Sequence, residues 1–86
     1  MISLYTFKEL LIPENRTYVH PIIFDLHYFE HVDQKTLDNY RLVDHVEEAD
    51  FLVFPIDILS KSGSRYKAHF KKMHLLSVEN QKKMWV

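Results

Sequence analysis

A short apolar run, Phe51-Leu52-Val53-Phe54, follows the acidic stretch Glu47 to Asp50 and is closed by Pro55. A run of this composition predicts a strand over residues 50–55 that is buried on both faces, as in a parallel sheet covered by helices. In such sheets, ligands bind to the loops that follow the carboxyl ends of the strands. We therefore expect any binding residues just after this strand.

Three other segments predict strands beside it. Residues 2–7 alternate around β-prone side chains, and residues 40–43 form a short β-prone run. Met84-Trp85-Val86 is apolar and β-prone as well, so another strand begins where the sequence stops. We expect a sheet of three to four strands, and a chain that stops in mid-sheet indicates a fragment.

Helical and turn segments separate these strands. Residues 8–16 predict a short helical turn or loop, and residues 33–39 a polar turn. Residues 21–32 fit helical spacing with Pro21 at the favoured first position, but their apolar residues also alternate as a strand would. We favour the helix.

The acids before the buried run have a structural interpretation. Asp44 and Glu47 form a D-x-x-E pattern, in which Asp44 is expected to cap a brief helical turn over residues 46–49. Glu47 and Glu48 would meet the positive end of that turn, and Asp50 would accept local backbone amides. The acidic stretch is therefore expected to have a structural role and not a catalytic or binding one.

Residues 60–64, with the only glycine, predict a loop, and a long helix follows over residues 65–83. Leu75 and Val78 fall outside its apolar arc, so the helix is either covered on two sides or ends early. The arc predicted to face the core consists of Tyr66, His69, Phe70, Met73, Leu76 and Ser77.

The order of these elements predicts an α/β fold. Strands that alternate with helices indicate a partial doubly wound, Rossmann-like unit with a mainly parallel sheet and flanking helices. With 86 residues, 47% of them hydrophobic, the chain is expected to form a single partial lobe over residues 1–86. Its unpaired last strand favours either missing downstream sequence or a partner that covers the edge.

The composition excludes some kinds of binding site and indicates a cellular compartment. The absence of cysteine excludes disulfides and thiolate metal sites. The first residues lack a signal-peptide pattern and no apolar run is long enough for a membrane span, so a cytoplasmic protein is predicted.

Charge is segregated along the chain. Residues 1–59 carry four Lys or Arg against eleven Asp or Glu, whereas residues 60–86 carry seven against one. The prediction is a basic helix packed beside acidic loops of its own domain. Nucleic acid is not a predicted partner, because Tyr66 and Phe70 are expected to belong to the core and not to a stacking surface.

The histidines do not predict a metal site. His27 and His31 have the i, i+4 spacing that places two imidazoles on one helix face, but no H-E-x-x-H pattern occurs. A third ligand would have to come from His20, Asp25, Glu30 or His45 through folding alone. No catalytic residue is predicted either, since the sequence has neither a phosphate-binding glycine loop nor a nucleophile elbow.

The segment from Val43 to Asp57, and above all Glu47 to Pro55, resembles the EEADFFFVP signature of exostosin-like glycosyltransferases. The resemblance implies the amino-terminal of two Rossmann-like lobes, which mainly shapes the acceptor side. The missing carboxy-terminal lobe would chiefly hold the nucleotide-sugar donor. The parent enzyme would transfer a sugar to a glycan acceptor, whereas this fragment would hold no cofactor and would be inactive alone.

Pro55 and Asp57 lie where the buried strand meets the open crevice, and they are the predicted substrate-binding residues. A role for both in forming a turn is the simpler interpretation. A different function class also fits the sequence: a small non-enzymatic α/β binding module that uses its basic last helix on an acidic partner.

Overall fold

The computed structural model describes residues 1–30, 32–57, 59–60 and 63–85. Within them, four strands form one sheet in the order β2-β1-β3-β4, and all neighbouring strands are parallel. The strands are β1 (Ile2–Tyr5), β2 (Tyr40–Leu42), β3 (Phe51–Val53) and β4 (Lys83–Trp85). The prediction of an α/β, partial Rossmann-like unit is confirmed.

Three α-helices accompany the strands in the described part of the chain: α1 (Pro21–Tyr28), α2 (Gln34–Asn39) and α3 (Lys67–Asn80). Short 3₁₀-helices lie between these elements, at Lys8–Leu10, Pro13–Tyr18, Val46–Glu48 and Gly63–Tyr66. Residues 8–16 were predicted as a short helical turn or loop, and the first two of these 3₁₀-helices show that the segment is largely helical. The predicted loop at residues 60–64 lies partly outside the described residues.

The helix over residues 21–28 confirms the favoured alternative and excludes the strand. Pro21 occupies the first turn, and the side chain of His20 accepts a hydrogen bond from the Ile22 N–H at 3.2 Å. The helix ends at Phe29, whose φ of 57° is left-handed and whose N–H donates to the Asp25 carbonyl. Proline at the start and a left-handed residue at the end fix both ends of α1.

The turn predicted for residues 33–39 is wrong, because α2 occupies this segment. Asp33 begins the helix by accepting a hydrogen bond from the Lys35 N–H at 2.9 Å. None of the residues of α2 is fully buried, although Leu37 packs against the core. A helix held mainly by its cap has no apolar periodicity that could have predicted it.

The helical turn before β3 forms, but its predicted cap does not. No side chain caps the 3₁₀-helix Val46–Glu48, and the predicted capping residue, Asp44, instead pairs with Lys8 at 2.9 Å. This hydrogen bond from Lys8 lowers the pKa of Asp44. A distant ammonium group has replaced the local amides as the partner of this carboxylate.

The core lies on both faces of the sheet, and β3 supplies side chains to each. Leu52 packs with Met73 in the cluster under α3, whereas Val53 packs with Ile23 in the cluster under α1. Leu52 and Val53 are fully buried, and β3 lies between β1 and β4. The predicted strand buried on both faces is confirmed, although it is shorter than residues 50–55.

Helix α3 packs on the sheet through the predicted arc. Met73 is buried, and Tyr66, Phe70 and Leu76 pack against the same cluster. Leu75 and Val78 are 59% and 63% exposed. The helix does not end early, because α3 continues to Asn80. Within this chain it is also not covered on two sides, because both residues are exposed.

Candidate functional site

A crevice with a volume of about 400 Å³ lies at the carboxyl end of β3. Residues 17–21 form one wall, and three residues that follow β3 form the other; two of these three, Phe54 and Ile56, are buried and also form the floor. The order β2-β1-β3-β4 changes direction between β1 and β3, which makes this end of the sheet a topological switch point. The lining residues are Thr17, Tyr18, Val19, His20, Pro21, Phe54, Ile56 and Asp57.

Backbone hydrogen bonds hold the two walls together. The His20 N–H donates to the Pro55 carbonyl at 2.8 Å, and the Asp57 N–H donates to the Tyr18 carbonyl at 2.9 Å. Val19 and Ile56 form an antiparallel bridge between these bonds. The crevice is therefore a paired structure with a fixed width and not a gap between two independent loops.

The floor of the crevice is part of the core. Phe54 and Ile56 are buried, and the Phe54 ring packs edge-to-face on Phe70 of α3 with centroids 5.4 Å apart. The Phe54 N–H donates to the Trp85 carbonyl of β4, so the chain leaves β3 in a fixed direction. Packing on two sides makes this floor rigid.

His20 is half-buried at the first turn of α1. Its Nδ1 accepts the hydrogen bond from Ile22, which assigns the proton of the neutral ring to Nε2. Burial lowers the pKa of His20. Near neutral pH the ring is therefore uncharged and has one N–H donor remaining, on Nε2.

The two predicted site residues have different positions. Pro55 is buried, and its carbonyl is the acceptor for the His20 N–H, so it shapes the crevice without lining it. Asp57 is exposed and lines the crevice. Its Oδ1 accepts from the Leu59 N–H at 3.0 Å, so the turn-forming role is present. This turn does not use Oδ2, and contact with a sugar hydroxyl stays a prediction.

Seven of the eight described residues that line the crevice were not predicted as binding residues, and three of these seven carry polar groups. These three are Thr17, Tyr18, which is 37% exposed beside the crevice, and His20, which the sequence suggests only as a metal ligand. They lie at the end of the 3₁₀-helix Pro13–Tyr18 and just before α1, where no periodic pattern indicates a site. The only signal in the sequence is their place before the proline that starts α1.

The Glu47 to Asp50 stretch supports the fold through the Asp50 carboxylate and two backbone carbonyls. The Asp50 carboxylate accepts from the Ser3 N–H of β1 at 2.8 Å, so it binds a distant amide and not the local ones that were predicted. The Glu47 carbonyl accepts from Lys82 Nζ at 3.1 Å, and the Ala49 carbonyl accepts from the same group. None of these residues lines the crevice.

The acidic and basic parts of the chain meet through Lys82, which binds backbone carbonyls. Both ion pairs found between described residues, Lys8–Asp44 and Arg16–Glu30, lie within the acidic residues 1–59. Lys67 and Lys71 are exposed on α3. The basic helix lies beside the acidic 3₁₀-helix Val46–Glu48, as predicted, but neither ion pair between described residues joins the two.

No three His, Asp or Glu side chains in the described part of the chain are grouped so that they could hold a metal ion. His31 lies outside that part, so its predicted pairing with His27 is not placed. No helix among the described residues is long and apolar enough to cross a membrane.

Comparison of the chain with known protein families, curated proteins and solved structures found no match. The fold, the crevice and the resemblance carried by residues 43–57 are thus the observations from which a function is proposed.

Proposed function

We propose that this chain supplies the acceptor side of an exostosin-like glycosyltransferase and that its crevice holds an uncharged part of a glycan. The observation that carries the proposal is the juxtaposition of Tyr18, His20 and Asp57 around one crevice at the switch point of the sheet. In parallel α/β sheets, this position is where ligands bind.

The polar groups of the crevice suit hydroxyl groups. The Nε2–H of neutral His20 is a donor on one wall, and the Asp57 carboxylate is an acceptor on the other. A hydroxyl group donates and accepts, so a pair of neighbouring hydroxyls satisfies both walls. The ring of Tyr18 offers an apolar surface for the C–H face of a sugar.

The same groups disfavour a phosphate. Neither lysine nor arginine is among the described residues that line the crevice, and Asp57 adds a negative charge there. A nucleotide-sugar requires cations or a cradle of backbone N–H groups for its phosphates. Donor binding and transfer are therefore assigned to a second lobe of the parent enzyme, and this chain alone is expected to be inactive.

Ligand titration followed by amide chemical shifts tests the proposal. Neutral monosaccharides and disaccharides are expected to shift the signals of Tyr18, His20 and Asp57, whereas a sugar phosphate and uridine monophosphate are not. Asp57→Ala should weaken saccharide binding by about tenfold, which corresponds to the loss of one hydrogen bond to a charged group. Asp38→Ala, on exposed α2, is the matched control.

Two results would overturn the proposal. One is binding of the phosphate compounds in the crevice in preference to the neutral sugars. The other is a coding sequence in which no second β/α lobe accompanies residues 1–86, because such a chain would have no donor-binding half.

The alternative from the sequence, a non-enzymatic module that acts through its basic last helix, involves different residues. Its support is the exposure of Lys67 and Lys71 on α3, and it does not compete with ligand binding in the crevice.

A further inference from the structure

The solvent side of α3 carries two aliphatic and two basic side chains. Leu75 and Val78 are 59% and 63% exposed, and Lys67 and Lys71 are exposed as well. Because these residues are three or four apart, they share one side of the helix. Met73, which is fully buried, marks the opposite side.

A shallow hollow with a volume of about 420 Å³ adjoins these residues. Phe70, Lys71, His74 and Leu75 line it. The Phe70 ring is held in place by its edge-to-face contact with Phe54, so the base of the hollow is fixed. Single exposed aliphatic residues are normal on a protein surface, whereas two of them beside a hollow on one side of a helix form an apolar patch that suits an interface.

We propose that this surface, defined by Lys67, Lys71, His74, Leu75 and Val78 and here called the α3 outer face, docks an acidic amphipathic α-helix of a partner protein. Apolar residues of the partner would contact Leu75 and Val78 and enter the hollow. Carboxylates of the partner would pair with Lys67 and Lys71. This inference goes beyond the proposed glycan site and depends on none of its residues.

Charge complementarity identifies the chemistry of the partner. Residues 60–86 carry seven Lys or Arg against one Asp or Glu, and the ion pairs between described residues lie elsewhere in the chain. Unneutralised lysines beside aliphatic residues fit a helix with acids on its flanks and apolar residues at i, i+3 and i+4.

The same surface is poorly suited to nucleic acid. The Tyr66 hydroxyl accepts a hydrogen bond from buried Asn15, and the Phe70 ring packs on Phe54. Tyr66 is therefore used in the core and Phe70 meets the surface at the base of the hollow, so α3 presents no row of tyrosine or phenylalanine rings on which successive bases could stack. Leu75 and Val78 would gain nothing from contact with phosphates.

A membrane surface is also a poor fit. Helices that lie in a bilayer interface bury a continuous apolar face. The apolar arc of α3 is already packed on the sheet through Met73, Phe70 and Leu76. The two aliphatic residues that remain outside are too few to anchor the chain in lipid.

The test uses the whole chain and a synthetic peptide of about 18 residues, with leucines on one helical face and glutamates on the other. A peptide of the same composition in scrambled order has the same charge without the apolar face. Fluorescence anisotropy should give a Kd of about 10–500 μM for the amphipathic peptide and at least tenfold weaker binding for the scrambled one. Amide shifts should concentrate on α3.

Substitutions distinguish the apolar contribution to peptide binding from the electrostatic contribution. The double substitution L75S/V78S should weaken binding about tenfold or more, and Lys71→Glu should transfer preference to a lysine-bearing amphipathic peptide. Lys35→Glu on α2 and Leu59→Ser, whose side chain is 93% exposed, are controls of the same chemistry and should leave binding unchanged. All substituted positions are exposed, and circular dichroism checks that each variant folds.

Several outcomes would overturn the inference. Equal binding of the two peptides, or of a DNA duplex, would show attraction of polyanions in general. Binding to phosphatidylserine vesicles that L75S/V78S abolishes would assign the surface to lipid. Self-association that the same variant abolishes would assign it to a second copy of the chain. Absence of peptide binding at millimolar concentration would leave the α3 outer face without the proposed partner.

Discussion

The carboxylate of Asp50 accepts a hydrogen bond from the backbone N–H of Ser3 at 2.8 Å, although the two residues are 47 positions apart. The Asp50 N–H donates in return to the Ser3 carbonyl at 2.7 Å. The Ser3 hydroxyl also accepts from Arg41 Nε at 2.7 Å. These bonds connect β3, β1 and β2 at one end of the sheet and fix the register of β1 against β3.

Loss of the Asp50 carboxylate should therefore destabilise the sheet. We expect Asp50→Ala to lower the free energy of unfolding by about 1–3 kcal/mol, since a hydrogen bond to a charged group is lost. Urea denaturation measures the difference. Asp38→Ala, whose carboxylate accepts from Gln34 on the exposed side of α2, should cost about 0.5 kcal/mol or less. Equal effects of the two substitutions would contradict the role of Asp50.

Asn15 joins the segment before α1 to the start of α3. It is buried, and its Nδ2 donates to the Leu10 carbonyl at 2.8 Å and to the Tyr66 hydroxyl at 2.9 Å. Asn15→Ala should cost about 2–3 kcal/mol of unfolding free energy, because it creates a cavity and removes both bonds. Tyr66→Phe should cost about 1 kcal/mol, since it removes one of them.

A double-mutant cycle isolates the bond between Asn15 and Tyr66. If the two side chains interact as described, the double variant is less destabilised than the sum of the single variants by about 0.5–1.5 kcal/mol. Tyr18→Phe, which removes the hydroxyl of a tyrosine beside the crevice, is the control partner. Strict additivity of Asn15→Ala and Tyr66→Phe would show that the bond contributes nothing.

The neighbours Lys82 and Lys83 provide a matched pair. Lys82 Nζ donates to the carbonyls of Glu47 and Ala49, whereas Lys83 is exposed at the start of β4. We expect Lys82→Ala to lower the free energy of unfolding by about 1–2 kcal/mol and Lys83→Ala to change it by less than about 0.5 kcal/mol. Thermal or urea unfolding distinguishes them, and a larger effect of Lys83→Ala would contradict this contact.

The strands and the buried arc of α3 could be predicted because each depends on a local pattern. The apolar run at residues 51–54 and the helical spacing around Met73 indicate their own burial. Helix α2 could not be predicted in this way, because it depends on the Asp33 cap and buries no residue fully. The pairing of Asp44 depends on Lys8, which is remote in sequence and outcompetes the nearby amides.

Of the residues that line the crevice, only those after β3 could be predicted from the sequence. Asp57 follows a strand whose carboxyl end the pattern locates, so its position at the crevice was expected. Tyr18 and His20 reach the same crevice through backbone bonds to Asp57 and Pro55. These backbone hydrogen bonds depend on how the chain folds between residues 20 and 55. No local pattern around residues 17–20 predicts that path.

His20 should make the stability of the protein sensitive to mild acid. Burial lowers its pKa in the folded state below the ordinary value of about 6.5. As pH falls through about 6.5, the unfolded chain binds a proton at this position before the folded one does. The free energy of unfolding therefore falls with pH from that point until the folded state is also protonated.

Replacement of His20 by asparagine tests this directly, because asparagine can still cap α1 but does not titrate. Urea unfolding at about pH 7.5, 6.5 and 5.5 spans the ordinary range of a histidine. The variant should lose less stability than the wild type across that range. His74→Asn is the control, since His74 is exposed on α3 and its loss leaves the burial of His20 unchanged. If His20→Asn and the wild type lost stability in parallel, the acid sensitivity would have to come from other groups, and the assignment of His20 as a buried neutral donor in the crevice would fail.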